Sequence, residues 1–220
     1  MTLIDNPTRS KIKKIHFIGI GGSGMSGIAR IMASRGAQVS GSDLNDSSTL
    51  NGLRSLGAKI YIGHSLDNLG SPDLVIKSSA IAANNSELEE AHRKGITVLE
   101  RAAALAELMI GTRSVAVAGT HGKTTTSSML AHIFNCSTEK CNAFLGGIAV
   151  NYNTNFWSSE KAVCVAEADE YDRSFLKLSP DIAIISSMDP DHLDIYGTAE
   201  NMEQAFIDFA AKIKPGGLLI

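Results

Sequence analysis

Two glycine-rich segments of the 220-residue chain have the residue types and spacing of phosphate-binding loops. The first, residues 19–24 (GIGGSG), has the pattern G-x-G-x-x-G between a strand-like apolar segment and a helical one. Its glycines let the backbone turn tightly and approach a diphosphate, which the N–H groups of the following helix then bind. Asp43 follows the second predicted strand, where an acidic side chain contacts a ribose hydroxyl in dinucleotide-binding domains. This segment alone leaves open NAD, another nucleotide, and a purely packing role for the glycines.

The second segment, residues 119–126 (GTHGKTTT), contains a shortened form of the G-x-x-x-x-G-K-[ST] phosphate loop and again separates a strand from a helix. Backbone N–H groups and the helix N-terminus would hold the β- and γ-phosphates of ATP. The ammonium group of Lys123 would neutralise their charge, and the hydroxyl of Thr124 would bind Mg²⁺. The segment therefore predicts ATP binding by Gly119, Thr120, His121, Gly122, Lys123, Thr124 and Thr125.

Two acidic clusters follow later apolar strands. Residues 167–172 (EADEYD) follow the predicted strand 163–166, and residues 189–194 (DPDHLD) come shortly after the predicted strand 182–185. Because the carboxyl ends of parallel strands meet at one edge of a sheet, both clusters could lie beside the phosphate loop. Carboxylates are ligands that Mg²⁺ prefers, so Glu167 is a candidate ligand, with Glu170 in reserve. His192 is either a ligand or phosphate contact, or part of a capping turn.

Short apolar segments alternate with helical patterns along the whole chain, which predicts βαβ units and mainly parallel sheets. The predicted strands are residues 15–19, 38–41, 58–62, 74–77, 96–99, 114–118, 163–166 and 182–185. The predicted helices are residues 25–35, 49–56, 86–94, 102–109, 123–134 and 199–213. Ser86 is expected to cap the third helix, with Glu89 completing a capping box.

The predicted fold class is α/β. A Rossmann-like parallel-sheet domain is expected over residues 1–111, followed by a P-loop-type parallel α/β domain over residues 112–220. The apolar residues 218–220 resemble the opening of a strand, so this second domain is expected to be truncated.

The composition is that of a globular protein without a strong charge bias. Hydrophobic residues make up 44% and charged residues 20%, and the formal net charge is −3. A nucleic-acid-binding domain usually presents a basic face, so this balance argues against one. No apolar run approaches the roughly 18 residues that span a bilayer, and residues 1–14 lack the apolar core of a signal peptide. We therefore expect a cytoplasmic protein without membrane insertion, and its three cysteines, an odd number, predict no disulfide framework.

The four segments, in this order, resemble the Mur ligases, the ATP-dependent amide-forming enzymes of bacterial cell-wall synthesis. The resemblance rests on residues 15–27, 118–126, 167–170 and 191–194, and it extends over essentially the whole chain. It implies that the N-terminal domain binds the diphosphate of a UDP-sugar rather than a nicotinamide cofactor. Arg101 is one further candidate for this role. The residues implied in UDP-sugar binding are Gly19, Gly21, Gly22, Ser23, Gly24, Met25, Asp43, Ser78 and Ser79.

The resemblance also implies a two-step reaction with ATP and Mg²⁺. The lactyl carboxylate of UDP-N-acetylmuramate attacks the γ-phosphate of ATP to give an acyl phosphate and ADP, and the amine of L-alanine then displaces phosphate. Lys123 is implied in holding the phosphates, and His121 in contacting either the reacting groups or the loop itself. The implied metal ligands are Thr124, Glu167 and His192, and the implied catalytic residues are Lys123, His121 and His192.

The incoming amine is not determined by these segments, because the region that binds it lies outside them. A ligase that adds a whole peptide to UDP-N-acetylmuramate is the alternative within the family, and the first glycine loop favours the members that add L-alanine. A nicotinamide-dependent oxidoreductase and a non-catalytic binding module are the alternatives from other classes. Family members are longer and carry a third domain for the amino acid, so the chain alone is expected to be inactive. The oligomeric state stays open.

One departure from the family pattern is Ser187, which stands where members usually have an asparagine. The position lies two residues before Asp189, at the start of the second acidic cluster. A hydroxyl is shorter than a carboxamide, so we expect the contact of an asparagine not to be reproduced there.

Overall fold

The computed structural model describes residues 12–171 and 173–220, except for the side chain of Ser23. The chain divides into two compact units between Glu107 and Leu108. The sequence pattern had predicted this boundary after Gly111. Asp172, a member of the first acidic cluster, lies outside the described residues.

Unit 1, the part before the division, is built on one parallel sheet. Its strands are β1 (Lys14–Ile18), β2 (Gln38–Asp43), β3 (Lys59–Ile62), β4 (Leu74–Lys77) and β5 (Thr97–Glu100). They lie in the order β3-β2-β1-β4-β5, and all neighbours are parallel. The helices are α1 (Ser23–Ser34), α2 (Ser48–Ser55), α3 (Leu66–Leu69), α4 (Ser86–Arg93) and α5 (Arg101–Met109), of which the last two residues of α5 lie past the division. The predicted Rossmann-like parallel α/β arrangement is confirmed, and Phe17, Ile28, Leu50 and Ile76 lie in its buried core.

The start of helix α4 differs from the sequence prediction. The cap is Asn85, whose side-chain oxygen accepts hydrogen bonds from the backbone N–H groups of Glu87 at 3.0 Å and Leu88 at 3.2 Å. Ser86 is instead the first helical residue. The predicted Ser86 cap with its capping box was therefore wrong, because the asparagine one position earlier already satisfies the free N–H groups of the first turn.

Unit 2, the part after the division, contains a six-stranded mixed sheet. Its strands are β6 (Arg113–Ala118), β7 (Asn142–Ala149), β8 (Thr154–Trp157), β9 (Val163–Glu167), β10 (Ile182–Ile185) and β11 (Leu218–Leu219). The order is β11-β10-β6-β9-β7-β8, in which only the β7–β8 pair is antiparallel. The expectation of a parallel sheet was thus incomplete, because this edge hairpin was not predicted. The predicted strand at the C-terminus is confirmed for Leu218 and Leu219, which pair with β10.

Three helices and a short 3-10 helix complete unit 2. The helices are α6 (Lys123–Cys136), α7 (Leu193–Tyr196) and α8 (Ala199–Ala210), and the 3-10 helix covers Ser174–Lys177. Phe175 packs edge-on against Phe206 and stacks on Phe209, with ring centroids 5.5 and 5.0 Å apart. This aromatic cluster fixes the segment that follows the first acidic cluster. Among the described residues, no helix is both long and apolar enough to cross a membrane.

Candidate functional site

The loop between β6 and α6 has a backbone that glycine alone adopts easily. Gly119 has a φ of 128° and Gly122 a φ of 78°, both in the left-handed region that L side chains avoid. A Cβ atom at Gly119 would overlap the Ser186 hydroxyl and lie 2.8 Å from the backbone nitrogen of Ser187. The predicted phosphate loop is therefore closely packed against the segment that follows β10.

Strand order explains this packing, because β6 lies between β10 and β9 and the loops after both strands flank the phosphate loop. The Ser187 hydroxyl accepts a hydrogen bond from the His121 N–H at 2.9 Å. It forms a second hydrogen bond with the Thr120 hydroxyl at 2.8 Å, in which either hydroxyl can be the donor. The Ser187 carbonyl accepts from the Thr120 N–H at 3.1 Å. Ser187, where the family pattern has an asparagine, therefore makes polar contacts of its own with the loop.

Lys123, the first residue of α6, is held by two acceptors. Its ammonium group donates to the Gly119 carbonyl and to Glu170 Oε1, both at 2.7 Å. A lysine ammonium has three N–H donors, so one remains for a ligand oxygen. The ammonium is thereby fixed between the loop and the segment that follows β9.

His192 lies beside the same glutamate. Its Nε2 atom is 3.7 Å from Glu170 Oε1, and the ring of Tyr171 meets the imidazole edge-on at 5.0 Å. The backbone φ of His192 is 51°, a left-handed conformation that is uncommon for a residue other than glycine. Its N–H donates to the Asp191 carboxylate at 2.7 Å. The predicted convergence of the second acidic cluster on Lys123 is seen here, and Glu170 is the residue that both groups contact.

Glu167, the predicted metal ligand, is the last residue of β9, which adjoins β6 on the side opposite β10. Its Oε2 atom accepts a hydrogen bond from the Gly146 N–H at 2.8 Å. A Cβ atom at Gly146 would overlap this carboxylate, and one at Gly147 would lie 3.2 Å from Thr124 Cγ2. Thr124 and Glu167 are thus neighbours of two consecutive glycines in β7, a strand that was not predicted.

The oxygen atoms of Thr124 and Glu167 suit Mg²⁺ chemically. In the described ranges, no group of three or more His, Cys, Asp and Glu side chains is placed to hold a metal ion. A Mg²⁺ ion that accompanies a nucleotide takes one or two protein carboxylates and obtains its other ligands from phosphate and water. One carboxylate and one hydroxyl beside the loop therefore fit this ion.

The remaining loop residues have simpler surroundings. His121 is exposed, and its backbone is held on both sides, by Ser187 at the N–H and by the Ser186 hydroxyl at the carbonyl. Thr125 is exposed one helical position beyond Thr124. Both hydrogen bonds are made by the backbone of His121, so its imidazole stays a predicted contact of the reacting groups or of the loop.

The first glycine loop, between β1 and α1 in unit 1, is held from below by β2. The N–H groups of Gly19 and Ile20 both donate to the Ser42 carbonyl, at 2.9 and 3.0 Å, and Gly19 has a φ of 82°. The N–H of Gly21 donates to Asp43 Oδ2 at 2.8 Å. Asp43, predicted to contact a ribose, therefore already binds the loop with one carboxylate oxygen.

Candidate ligand-binding side chains lie on both sides of this loop. A Cβ atom at Gly24 would lie 3.0 Å from Arg101 Cδ and 3.1 Å from Nη1, so the guanidinium adjoins the first turn of α1. Ser78 adjoins the start of the loop, because a Cβ atom at Gly19 would lie 3.1 Å from the Cβ atom of Ser78. A cation beside the N-terminus of a 12-residue helix favours an anion at that place.

Three other predicted residues are less directly placed. Met25 is buried and packs in the core of unit 1, so any part it has in binding is to support the loop. Ser79 is exposed next to Ser78. Gly22 is the N-cap residue of α1, and the side chain of Ser23 is outside the description.

A buried network beneath this loop was not predicted. The fully buried Glu87 accepts hydrogen bonds from Ser42 at 2.6 Å, Asn68 at 2.8 Å and the Ser65 N–H at 3.1 Å, and its Oε2 lies 3.0 Å from His16 Nε2. Burial raises the pKa of Glu87, but these hydrogen bonds together lower it by more, so the pKa lies below its ordinary value. The Ser42 carbonyl accepts the hydrogen bonds of the glycine loop, and the Ser42 hydroxyl donates to Glu87. Glu87 therefore helps to fix the residue that holds the loop.

Comparisons with known proteins bear on both units. The model of the Mur ligase family, catalytic domain, matches residues 14–113, and the model of the Mur ligase middle domain matches residues 117–220. A curated protein from Sorangium cellulosum, named UDP-N-acetylmuramate--L-alanine ligase, is 46% identical over 212 residues, which cover 96% of this chain and 45% of that protein. The chain thus spans about half the length of the curated relatives it matches.

Two solved structures are similar in fold. The UDP-N-acetylmuramate-alanine ligase of Thermotoga maritima is 34% identical with a TM-score of 0.83, over 93% of this chain and 48% of that one. The UDP-N-acetylmuramate:L-alanyl-gamma-D-glutamyl-meso-diaminopimelate ligase of Neisseria meningitides is 28% identical with a TM-score of 0.85, over 94% of this chain and 70% of that one. Fold similarity alone therefore does not separate a ligase for an amino acid from a ligase for a peptide.

Proposed function

The chain belongs to the Mur ligase family, and on that premise we propose that it binds UDP-N-acetylmuramate and ATP for the ligation of L-alanine. The observation that carries this proposal is the position of Lys123. Its ammonium group is fixed at the start of α6 by the Gly119 carbonyl and the Glu170 carboxylate. The names of the curated relatives, at 46 and 48% identity, support L-alanine as the incoming amine.

Each residue of the ATP site has a proposed task. The N–H groups of Thr120 and His121 are held by Ser187, so the other N–H groups of residues 119–125 and the third proton of Lys123 bind the β- and γ-phosphates. Thr124 and Glu167 hold one Mg²⁺ ion, and His192 contributes to a second. The ion supplies charge neutralisation of the phosphates when it is bound. Phosphoryl transfer depends mainly on such neutralisation and on alignment, and the packing of the loop against Ser187 supplies the alignment.

The proposed reaction has two steps. The lactyl carboxylate of the sugar attacks the γ-phosphorus, the bond between this phosphorus and the bridging oxygen of ADP breaks, and an acyl phosphate forms. The uncharged amine of L-alanine then attacks the acyl carbon, and phosphate leaves from the tetrahedral intermediate as the amine loses its proton. Lys123 stabilises the charge that moves onto ADP, and His121 and His192 are the proposed further catalytic residues.

Unit 1 is proposed to bind the UDP-sugar. Its diphosphate would lie on the N–H groups of the loop at residues 19–24 and at the N-terminus of α1, with Arg101 as the neutralising cation and Ser78 at the edge. We place the protein in the cytoplasm, where ATP is the common phosphoryl donor.

Two assays test this function. Titration with UDP-N-acetylmuramate and, separately, with NADH is expected to give saturable binding of the sugar nucleotide only. In an ATP-dependent ligation assay of a full-length family member that contains these residues, product is expected with L-alanine and not with the tripeptide that a peptide ligase adds. Binding of NADH alone would contradict the UDP-sugar site, and turnover with the tripeptide alone would contradict the choice of L-alanine.

A further inference from the structure

Glu170 lies beside Lys123 in the proposed ATP site, and so far it has been considered only as a reserve metal ligand and as one acceptor of the Lys123 ammonium. Its Oε1 atom accepts a hydrogen bond from Lys123 Nζ at 2.7 Å and lies 3.7 Å from His192 Nε2. The loops after three strands are thus joined at one carboxylate oxygen, since Lys123 follows β6, Glu170 follows β9 and His192 follows β10.

The backbone of Glu170 is also fixed. Its carbonyl accepts hydrogen bonds from the Tyr196 hydroxyl at 2.6 Å and from the Arg173 N–H at 3.0 Å. Tyr196 is buried and ends the short helix α7, which begins directly after His192. The guanidinium carbon of Arg173 lies 4.9 Å from the centre of the Tyr196 ring. Glu170 and His192 are therefore linked through the side-chain contact and through this helix.

A comparison with Glu87 shows what is unusual about Glu170. Both side chains are fully buried. Glu87 has partners on both carboxylate oxygens, as expected for a buried group that serves the fold. Glu170 Oε2 has no hydrogen-bond partner within residues 12–171 and 173–220. A buried carboxylate oxygen without a partner costs free energy, and its presence beside Lys123 indicates a use in the site.

We propose that Glu170 is a positioning residue for nucleotide binding, an inference that rests on the proposed ATP site. One oxygen fixes the Lys123 ammonium so that its third proton meets the phosphates, and the same oxygen keeps His192 beside it. The second oxygen accepts a donor that arrives with the hydrated MgATP. Glu170 itself does not contact the reacting atoms.

Calorimetric titration with MgATP tests this role in four variants. Glu170→Gln retains an oxygen acceptor but loses the negative charge, so its affinity for MgATP is expected to fall at least tenfold. Glu203→Gln, an exposed change on α8, is the matched control and is expected to bind like the wild type. Because one of the two Glu170 oxygens acts through Lys123, the loss of affinity in the Lys123→Met/Glu170→Gln double variant is expected to be smaller than the sum of the losses in Lys123→Met and Glu170→Gln.

A second measurement needs no nucleotide. In the wild-type protein, the ammonium ¹H–¹⁵N signal of Lys123 is expected to be visible, because its two hydrogen bonds slow proton exchange, and it is expected to be lost in Glu170→Gln. If the wild-type protein fails to bind MgATP, the proposed ATP function fails, while this signal still tests whether Glu170 fixes the Lys123 ammonium. Equal MgATP affinity of Glu170→Gln and wild type, additive losses in the double variant, or an unchanged Lys123 signal would each overturn the positioning role.

Discussion

The Ser187 hydroxyl lies 2.9 Å from the backbone nitrogen of His121 and accepts its hydrogen bond. Ser187 belongs to the segment after β10, and His121 to the loop after β6. The hydrogen bond therefore joins two neighbouring strand ends, and with the Thr120 contact it determines the conformation of the phosphate loop.

Replacing Ser187 with alanine is expected to destabilise unit 2 and to weaken MgATP binding. Two hydrogen bonds to the loop are lost, each contributing about 0.5–1.5 kcal/mol. Urea unfolding and calorimetric titration measure the two effects. Ser158→Ala, the same change at an exposed position of the same unit, is the control. If Ser187→Ala binds MgATP and unfolds like this control, the hydrogen bonds do not hold the loop.

Glu87→Gln is expected to reduce the free energy of unfolding by about 1–3 kcal/mol at pH 7, because an amide group would face donors that now meet a carboxylate. The pH dependence has a defined sign. The pKa of Glu87 is lowered in the folded protein from its ordinary value of 4.5. The stabilisation is therefore fully present above that value and is lost as the pH falls through the lower, folded pKa.

Urea unfolding at a series of pH values measures this dependence. The stability difference between wild type and Glu87→Gln is expected to shrink as the pH falls from neutral to below the ordinary pKa of 4.5. Glu89→Gln, an exposed change on the same helix, is expected to change little at any pH. A difference that grows on acidification would show that the carboxylate is not stabilised by its neighbours.

The cap of α4 can be located by two neighbouring substitutions. Asn85→Ala is expected to cost about 1 kcal/mol, because the N–H groups of Glu87 and Leu88 lose their acceptor. Ser86→Ala is expected to be nearly neutral, since Ser86 is the first residue inside the helix. Thermal unfolding compares the stabilities of the two variants. A Ser86→Ala variant less stable than Asn85→Ala would identify Ser86 as the cap.

Gly146→Ala is expected to impair Mg²⁺ binding while preserving the fold. The added methyl group would overlap the Glu167 carboxylate, which lies at the end of a flexible side chain and can move aside. Calorimetric titration with ATP, with and without Mg²⁺, is expected to show a reduced effect of the metal. Val150→Ala, at a highly exposed position after the same strand, is the control. An unchanged metal effect in Gly146→Ala would separate Glu167 from the proposed Mg²⁺ site.

The features that could be predicted from the sequence are those with local causes. The glycines at 119 and 122 mark the loop because only glycine adopts its backbone easily, and the apolar strands on either side give its context. The hairpin of β7 and β8 was missed, because β7 contains Gly146 and Gly147 and is stabilised by pairing with distant β9. The burial of Glu87 was missed because a glutamate in the first turn of a helix is ordinarily exposed.

The site residues show the same distinction. The second acidic cluster was predicted to lie near Lys123 and Glu167 because parallel strand ends converge, and that argument needs only topology. It cannot say which carboxylate lies beside Lys123 and His192, because Glu167 ends β9 while Glu170 lies in the following loop, whose course the topology does not determine. The contact of Asp43 with Gly21, likewise, depends on how far the loop folds back over β2.

Calorimetric titration of MgATP into the wild-type protein and the Lys123→Met variant tests the ATP site most directly. The wild type is expected to bind with saturation, and the variant at least about tenfold more weakly, since a charged hydrogen bond contributes about 1.5–3 kcal/mol. Thermal unfolding of both proteins without ligand shows that the variant is folded. Equal affinity of two folded proteins for MgATP would contradict the assignment of residues 119–125 as the ATP-binding loop.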